Sequence, residues 1–115
     1  MTANAGSAAA LDEILARGGD ADDVLRRVVE LLAGEPGLDW AGIALVEGDA
    51  LVLGPNAGTP AEEVRARTPI LYEGAVVGEL WTDGRMDEIF LSHVATAIAS
   101  YVLIGWDTQG QTWDP

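Results

Sequence analysis

The residues best suited to chemistry in this chain converge on Glu79-Leu80-Trp81-Thr82-Asp83, where two carboxylates flank an indole at alternate positions. A second indole, Trp40, opens the run Trp40-Ala41-Gly42. Two such rings could stack a flat or cationic ligand, with Glu79 and Asp83 supplying the opposite charge. Trp40, Tyr72, Glu79, Trp81 and Asp83 are therefore the candidate ligand-binding residues. The competing reading is that another subunit or the C-terminal tail covers the rings.

Other chemistries have less to stand on. The chain contains no Cys, which removes thiolate nucleophiles, thiolate metal sites and disulfides. Its single histidine, His93, has no evident catalytic partner and lies at the margin of an apolar stripe, so it reads as an edge or hydrogen-bonded histidine. Asp20, Asp22 and Asp23 stand at the start of a helical pattern and read as caps rather than metal ligands. Gly54-Pro55-Asn56-Ala57-Gly58 lacks the Lys and Ser/Thr of a phosphate-binding loop. No catalytic residue, metal site or cofactor is assigned, and no enzymatic activity is expected.

A β-hairpin must carry the acids and rings. Ile70, Leu71 and Tyr72 lead into Glu73-Gly74, where glycine can take the positive φ of a tight primed turn, and Val76 to Thr82 lead out. With a two-residue loop, Tyr72 pairs with Ala75. Strict alternation then puts Ile70, Tyr72, Val77, Glu79, Trp81 and Asp83 on one face. Leu71, Val76, Gly78 and Leu80 share the other, which is suited to lying under a helix.

The remaining elements follow from periodicity and punctuation. Residues 1–9 are small and polar and expected to fray. Leu11, Ile14 and Leu15 predict a short helix ended by Gly18-Gly19. Asp20, with Asp23 three residues on, caps a second helix whose stripe is Val24, Val28, Leu31 and Leu32. Asp39 to Glu47 reads as a strand with Ala41, Ile43 and Leu45 on one face and Trp40, Gly42, Ala44 and Val46 on the other. Gly48-Asp49 turns the chain into a return strand, Ala50 to Leu53, and residues 54–58 read as a loop. Thr59-Pro60-Ala61-Glu62 has the signals of a helix start, with room for roughly two turns before Thr68-Pro69 forces extended chain. Asp87 opens a last helix running to about Ile104, and the tail, 107–115 after Trp106, is expected to fold back with Trp113 over apolar surface. The expected fold is one α+β domain over 1–115: an antiparallel sheet of four or more strands with the N-terminal and C-terminal helices on one face.

Composition narrows the partners. Apolar residues make up 49% of the chain; Asp and Glu total 19 against six arginines, for a net charge of -13. Such a molecule is repelled by nucleic acid and by anionic membrane surfaces. From Ile89 to Trp106 no residue is charged, but Ser92, His93, Thr96, Ser100 and Gly105 interrupt the run, which reads as a buried helix rather than a membrane span. The N-terminus shows no basic stretch followed by an apolar one, and the expectation is a cytoplasmic protein. The use of Arg without Lys, with abundant Ala and Gly, points to a bacterium with a GC-rich genome.

The order helix, two strands, connection, two strands, helix resembles a GAF domain. Within that superfamily the wording is most similar to the free methionine-(R)-sulfoxide reductase group. Asp39-Trp40-Ala41-Gly42-Ile43-Ala44-Leu45 is similar to that group's first core strand, and Leu51-Val52-Leu53-Gly54-Pro55 to its second. Gly58-Thr59-Pro60-Ala61-Glu62 resembles a segment reading Gly, Lys, Pro, Ala, Cys in those enzymes. Thr68-Pro69-Ile70 and Val76-Val77-Gly78-Glu79-Leu80-Trp81-Thr82-Asp83 resemble the closing hairpin. The resemblance runs from about Ala21 to Ile104, and its departures carry weight. Glu62 stands where the enzymes have a cysteine, Trp81 replaces the first Asp of the last strand motif, and Asp83 keeps the second. Between Glu62 and Thr68 the family inserts a much longer segment that roofs the ligand pocket. The resemblance therefore implies a stripped GAF core without sulfoxide-reductase chemistry, its Trp40/Trp81 face shallow or open. A PAS or roadblock scaffold is the runner-up fold.

These features together point to a non-catalytic regulatory or protein-interaction module, with a small-molecule sensor using the Trp40/Trp81 face as the alternative. GAF domains commonly dimerise through terminal helices, and the last helix here is apolar around most of its circumference. Either the second helix or a second subunit must cover what the sheet does not. A homodimer is expected, with Leu91, Ala95, Ala99 and Val102 as its candidate interface.

Overall fold

Two hairpins build the sheet. Strand β1 (Leu38–Glu47) passes into β2 (Ala50–Gly58), and β3 (Arg65–Tyr72) into β4 (Ala75–Gly84). The computed structural model describes the backbone of residues 5–112 and the side chains of residues 8–103. Both turns contain two residues: Gly48 has φ 63° in the first, and Glu73 and Gly74 have φ 52° and 86° in the second. Two successive positive φ values match the right-handed twist of the flanking strands, so the second hairpin closes where expected, with Tyr72 opposite Ala75. The strands pair antiparallel in the order β2-β1-β4-β3.

Three helices, α1 (Ala5–Arg17), α2 (Ala21–Ala33) and α3 (Glu88–Thr112), complete an α+β fold. On one face of the sheet, α2 lies over β1 and β2 and α3 mainly over β3 and β4, while α1 packs on α2. Val28 and Leu32 of α2 and Val94 and Ile98 of α3 meet Ile43 and Leu80 of the sheet, all fully buried. Each such aliphatic side chain contributes about 1.5–3 kcal/mol by leaving water. Asp87 caps α3: its Oδ1 accepts from the amide of Ile89 at 3.0 Å. Asp20 stands at the start of α2 in extended conformation, but its side chain makes no cap hydrogen bond, so the expected acidic capping box does not form.

Several expectations are corrected. Helix α1 already includes residues 5–9, and residues 1–4 lie outside those described. Strand β2 continues through residues 54–58, because a bulge places Gly54 and Pro55 opposite Ile43, on an outer strand where Pro55 owes no hydrogen bond. The helix foreseen from Thr59 shrinks to one 3-10 turn, Glu62–Val64. Strand β3 then starts at Arg65, and Pro69 is accommodated because β3 is the other edge. Helix α3 runs on to Thr112 instead of ending near Ile104, so residues 106–112 do not fold back. Trp113 and the residues after it lie outside those described.

Two corrections bear on function. Between Ile70 and Leu71 the β3–β4 register shifts, leaving Val77 as an extra residue in β4. That bulge splits each face expected from strict alternation. Ile70, Tyr72 and Val77 turn to the helices with Leu80, while Leu71 and Val76 join Glu79, Trp81 and Asp83 on the open face. Tyr72 is thus a core-side residue and leaves the candidate ligand set. Leu91, Ala95, Ala99 and Val102 are likewise buried within the chain, under the sheet and α2. The second helix supplies the missing cover, so these four residues, expected at an interface, are instead enclosed within the chain.

Candidate functional site

The open face is organised by the indole of Trp40, which lies across Gly42 on its own strand. A Cβ at Gly42 would stand 2.5 Å from the ring's Cη2 and 2.8 Å from its Cζ2, so only glycine leaves room for the ring there. The indole Nε1–H donates to Asn56 Oδ1 at 3.3 Å, across the β1–β2 pair Gly42–Asn56. On the other side of Gly42 the pairing sets Trp81, whose Nε1–H donates to Glu79 Oε1 at 2.8 Å. Trp40 is only 2% exposed although none of α1, α2 and α3 covers its face of the sheet in the described residues.

What lies between the two rings is an arginine of the same chain. Arg65, paired with Asp83 across β3 and β4, sends its guanidinium over Trp40 at 4.5 Å from the ring centroid and 5.4 Å from that of Trp81. Its Nε donates to Asp83 Oδ1 at 2.7 Å and its Nη2 to Oδ2 at 2.8 Å. The amide of Ala61, just before the 3-10 turn, donates to the same Oδ2 at 2.6 Å. This planar fork is the geometry in which Arg and carboxylate bind best. Arg67, paired with Trp81 across β3 and β4, adds a second cation to that ring, its guanidinium 4.7 Å from the Trp81 centroid. Glu62 adds a distant contact to Arg65 at 3.9 Å, largely in solvent.

Asp83 is 0% exposed, yet all its acceptor demand is met within the chain. The Arg65 hydrogen bonds hold its carboxyl below the usual carboxylate range against the opposing effect of burial, with the Ala61 amide acting in the same sense as Arg65. Arg65 is pushed above its ordinary value by the same hydrogen bond. A carboxylate so engaged does not serve as a general base, and Glu79 is occupied by an indole N–H. Four of the five candidate residues therefore come together, Trp40, Glu79, Trp81 and Asp83, whereas Tyr72 does not. The residues that sequence reasoning missed are Arg65, Arg67 and Asn56. The Arg-Ala-Arg alternation before Thr68-Pro69 was the available signal, since two cations at strand spacing share one face.

Elsewhere, His93 is exposed on α3. Among the described residues no three His, Asp or Glu side chains gather as a metal site would require. No helix among them is long and apolar enough to cross a membrane.

No protein-family profile matches this sequence, and no curated protein matches it significantly. Solved structures do resemble its fold. Free methionine-R-sulfoxide reductase from Neisseria meningitidis, in complex with its substrate, matches with a TM-score of 0.66 at 17% identity, over 85% of this chain and 87% of that one. The GAF domain of an Acinetobacter phosphoenolpyruvate-protein phosphotransferase matches with a TM-score of 0.67 at 14% identity, over 90% and 95%. A putative GAF sensor protein from Burkholderia vietnamiensis matches with a TM-score of 0.63 at 15% identity, over 97% and 95%. At such identities the likeness speaks for the fold alone, and it spans both enzymes and sensor domains. With its four-stranded antiparallel sheet and helices on one side, this chain has a GAF-like fold, similar to that of the free methionine-R-sulfoxide reductases and without any cysteine.

Proposed function

We propose that this chain is a non-catalytic GAF-like regulatory or protein-interaction module that associates with itself. The observation that carries this reading is Arg65, whose guanidinium fills the space between Trp40 and Trp81 and satisfies Asp83. A face whose two rings and carboxylates suit a cationic ligand already holds a cation of its own. The lack of any cysteine supports the non-catalytic part, because reduction of a sulfoxide by a protein thiol starts with thiolate attack on sulfur.

Tryptophan fluorescence during titration with free arginine and with a quaternary ammonium ion tests this against the alternative, a small-molecule sensor on the same face. The native chain is expected to give no saturable response, while Arg65→Ala, with the space between the rings vacated, is expected to gain one. A saturable response in the native chain would favour the sensor. Turnover of free methionine sulfoxide that a single substitution abolishes would overturn the non-catalytic reading. Sedimentation of the native chain at micromolar concentration checks self-association, and a monomer under every condition would defeat that part.

A further inference from the structure

The face of the sheet away from the helices is electrically unlike the rest of the molecule. Its strand side chains include two carboxylates, Glu79 and Asp83, and two guanidiniums, Arg65 and Arg67, a formal balance of zero in a chain of net charge -13. Both carboxylates are already hydrogen-bonded within the chain. The excess negative charge sits mainly in the turns, in the 3-10 turn, on Asp39 and Glu47 toward the two ends of β1, and at the start of α3. The same face leaves large apolar side chains in water: Leu53 of β2 is 44% exposed, Leu71 of β3 49% and Val76 of β4 50%. Asp39, Glu62, Glu63 and Glu73 stand at its ends, in the β1 bulge, the 3-10 turn and the hairpin turn.

Resting on the self-association proposed above, we infer that a second copy of this chain docks on this open face, sheet against sheet, in a two-fold dimer. Charge selects the occupant. Two copies of a strongly acidic molecule repel each other through every surface that carries the excess, and this face is where they can meet without it. A basic partner would be drawn instead to the turns and the start of α3, where the excess carboxylates stand. An isologous contact sets the same neutral, apolar patch against itself. The size is sufficient: four strands at about 4.8 Å spacing and 8–10 residues each span about 19 by 30 Å, or roughly 600 Å² per copy. Two such faces bury about 1,200 Å², the lower edge of stable interfaces. The dimer is therefore of modest affinity, and salt strengthens it by screening the carboxylates that remain around its rim.

Sedimentation velocity on the full chain tests this at low and physiological ionic strength. The native protein is expected to dimerise, more tightly with added salt. Leu53→Glu and Leu71→Glu, on opposite edge strands and half-exposed in the single chain, should keep the native melting profile yet each weaken the dimer at least about tenfold. Ile89→Glu, on α3 at a position 80% exposed, should leave it unchanged. A native protein that stays monomeric throughout overturns self-association and the sheet-face dimer together, and so speaks for a different occupant of the face. A dimer that survives both sheet variants overturns the sheet face alone and leaves self-association standing.

Discussion

The face of the sheet beneath the helices and the face away from them reach burial by different means. Under α2 and α3, Ile43, Leu45, Ile70 and Leu80 are covered by aliphatic side chains in non-directional contact. On the open side none of the three α-helices lies above the sheet, yet Trp40 and Asp83 are almost wholly removed from water. Their cover comes from within the sheet, as Arg65 reaches across from an edge strand and locks onto Asp83. An aliphatic face tolerates exchange among residues of similar size, whereas a face closed by one directional pair depends on both partners. The contrast locates where this small domain is robust and where it is brittle.

The brittle side should give the largest single effect. Arg65→Ala leaves the Asp83 carboxylate buried with only the Ala61 amide as partner, and removing one member of a buried pair costs about 3–5 kcal/mol. Urea denaturation at neutral pH measures it. The loss should also depend on pH in a definite direction. Asp83 is held below its unfolded value, so the pair's stabilisation is complete above about pH 4 and is lost as pH falls through the lower folded value. The gap between native and variant must therefore narrow on acidification. A gap that stays constant into strong acid would show that Arg65 acts through packing alone.

On the covered face, Leu80→Ala should cost about 2–5 kcal/mol through lost transfer energy and an unfilled cavity. Its cost should not change between neutral and acidic pH beyond the native protein's own acid response, because no titrating group contacts the contrast being made. Two substitutions of similar size, one cost falling with acidification and the other constant, would confirm that the faces differ in kind. Parallel pH profiles would erase the distinction.

The covered face was the more legible in the sequence because apolar periodicity encodes it directly. The stripes Val24, Val28, Leu32 and Ala41, Ile43, Leu45 predicted elements and orientation, and glycine with Glu73 marked the hairpin turn. Of the open face, Trp40, Glu79, Trp81 and Asp83 were legible as a cluster, but not what joins them. Arg65 was hidden because Thr59-Pro60-Ala61-Glu62 carries local helix-start signals. The pairing of Arg65 with Asp83 instead draws residues 65–67 into the sheet, a tertiary contact that local propensity does not report. Tyr72 was misassigned because one bulge residue, Val77, shifts parity, and nothing in a Val-Val-Gly run says which residue is extra. Which surface covers α3 was illegible for a related reason. Periodicity shows that a helix is apolar on two sides but not that α2 lies against the second.

A subtler probe of the open face is Gly42→Ala. The added carbon would stand 2.5 Å from the Trp40 ring and 3.0 Å from Leu53 Cδ1, so the indole must move, and with it the surface on which Arg65 stacks. Overpacking of this kind costs about 1–3 kcal/mol, offset in part by about 0.4–1 kcal/mol from restricting the unfolded chain. A red shift of tryptophan emission should accompany the loss. Unchanged emission and stability would mean that the ring has freedom the stacked geometry denies.

The smallest expected effect marks the boundary of the brittle region. Arg67 and Arg65 lie 4.7 and 5.4 Å from the Trp81 centroid, so the two arginines look alike as cation–π contacts. Their surroundings differ. Arg65 is largely buried and bonded to a carboxylate with no exposed surface, whereas Arg67 is exposed and makes no ion pair among the described residues. An exposed cation on an indole is worth about 0.5–1 kcal/mol, because water solvates the guanidinium nearly as well once it is released. Arg67→Ala should therefore shift the urea midpoint only slightly, and Arg67→Lys should retain part of the native value. If Arg67→Ala proved as costly as Arg65→Ala, the stability of this face would come from the aromatic–guanidinium stack as a whole rather than from the Arg65–Asp83 pair. The two arginines would then be equal members of one structure, and the brittle region would extend to the edge of the sheet.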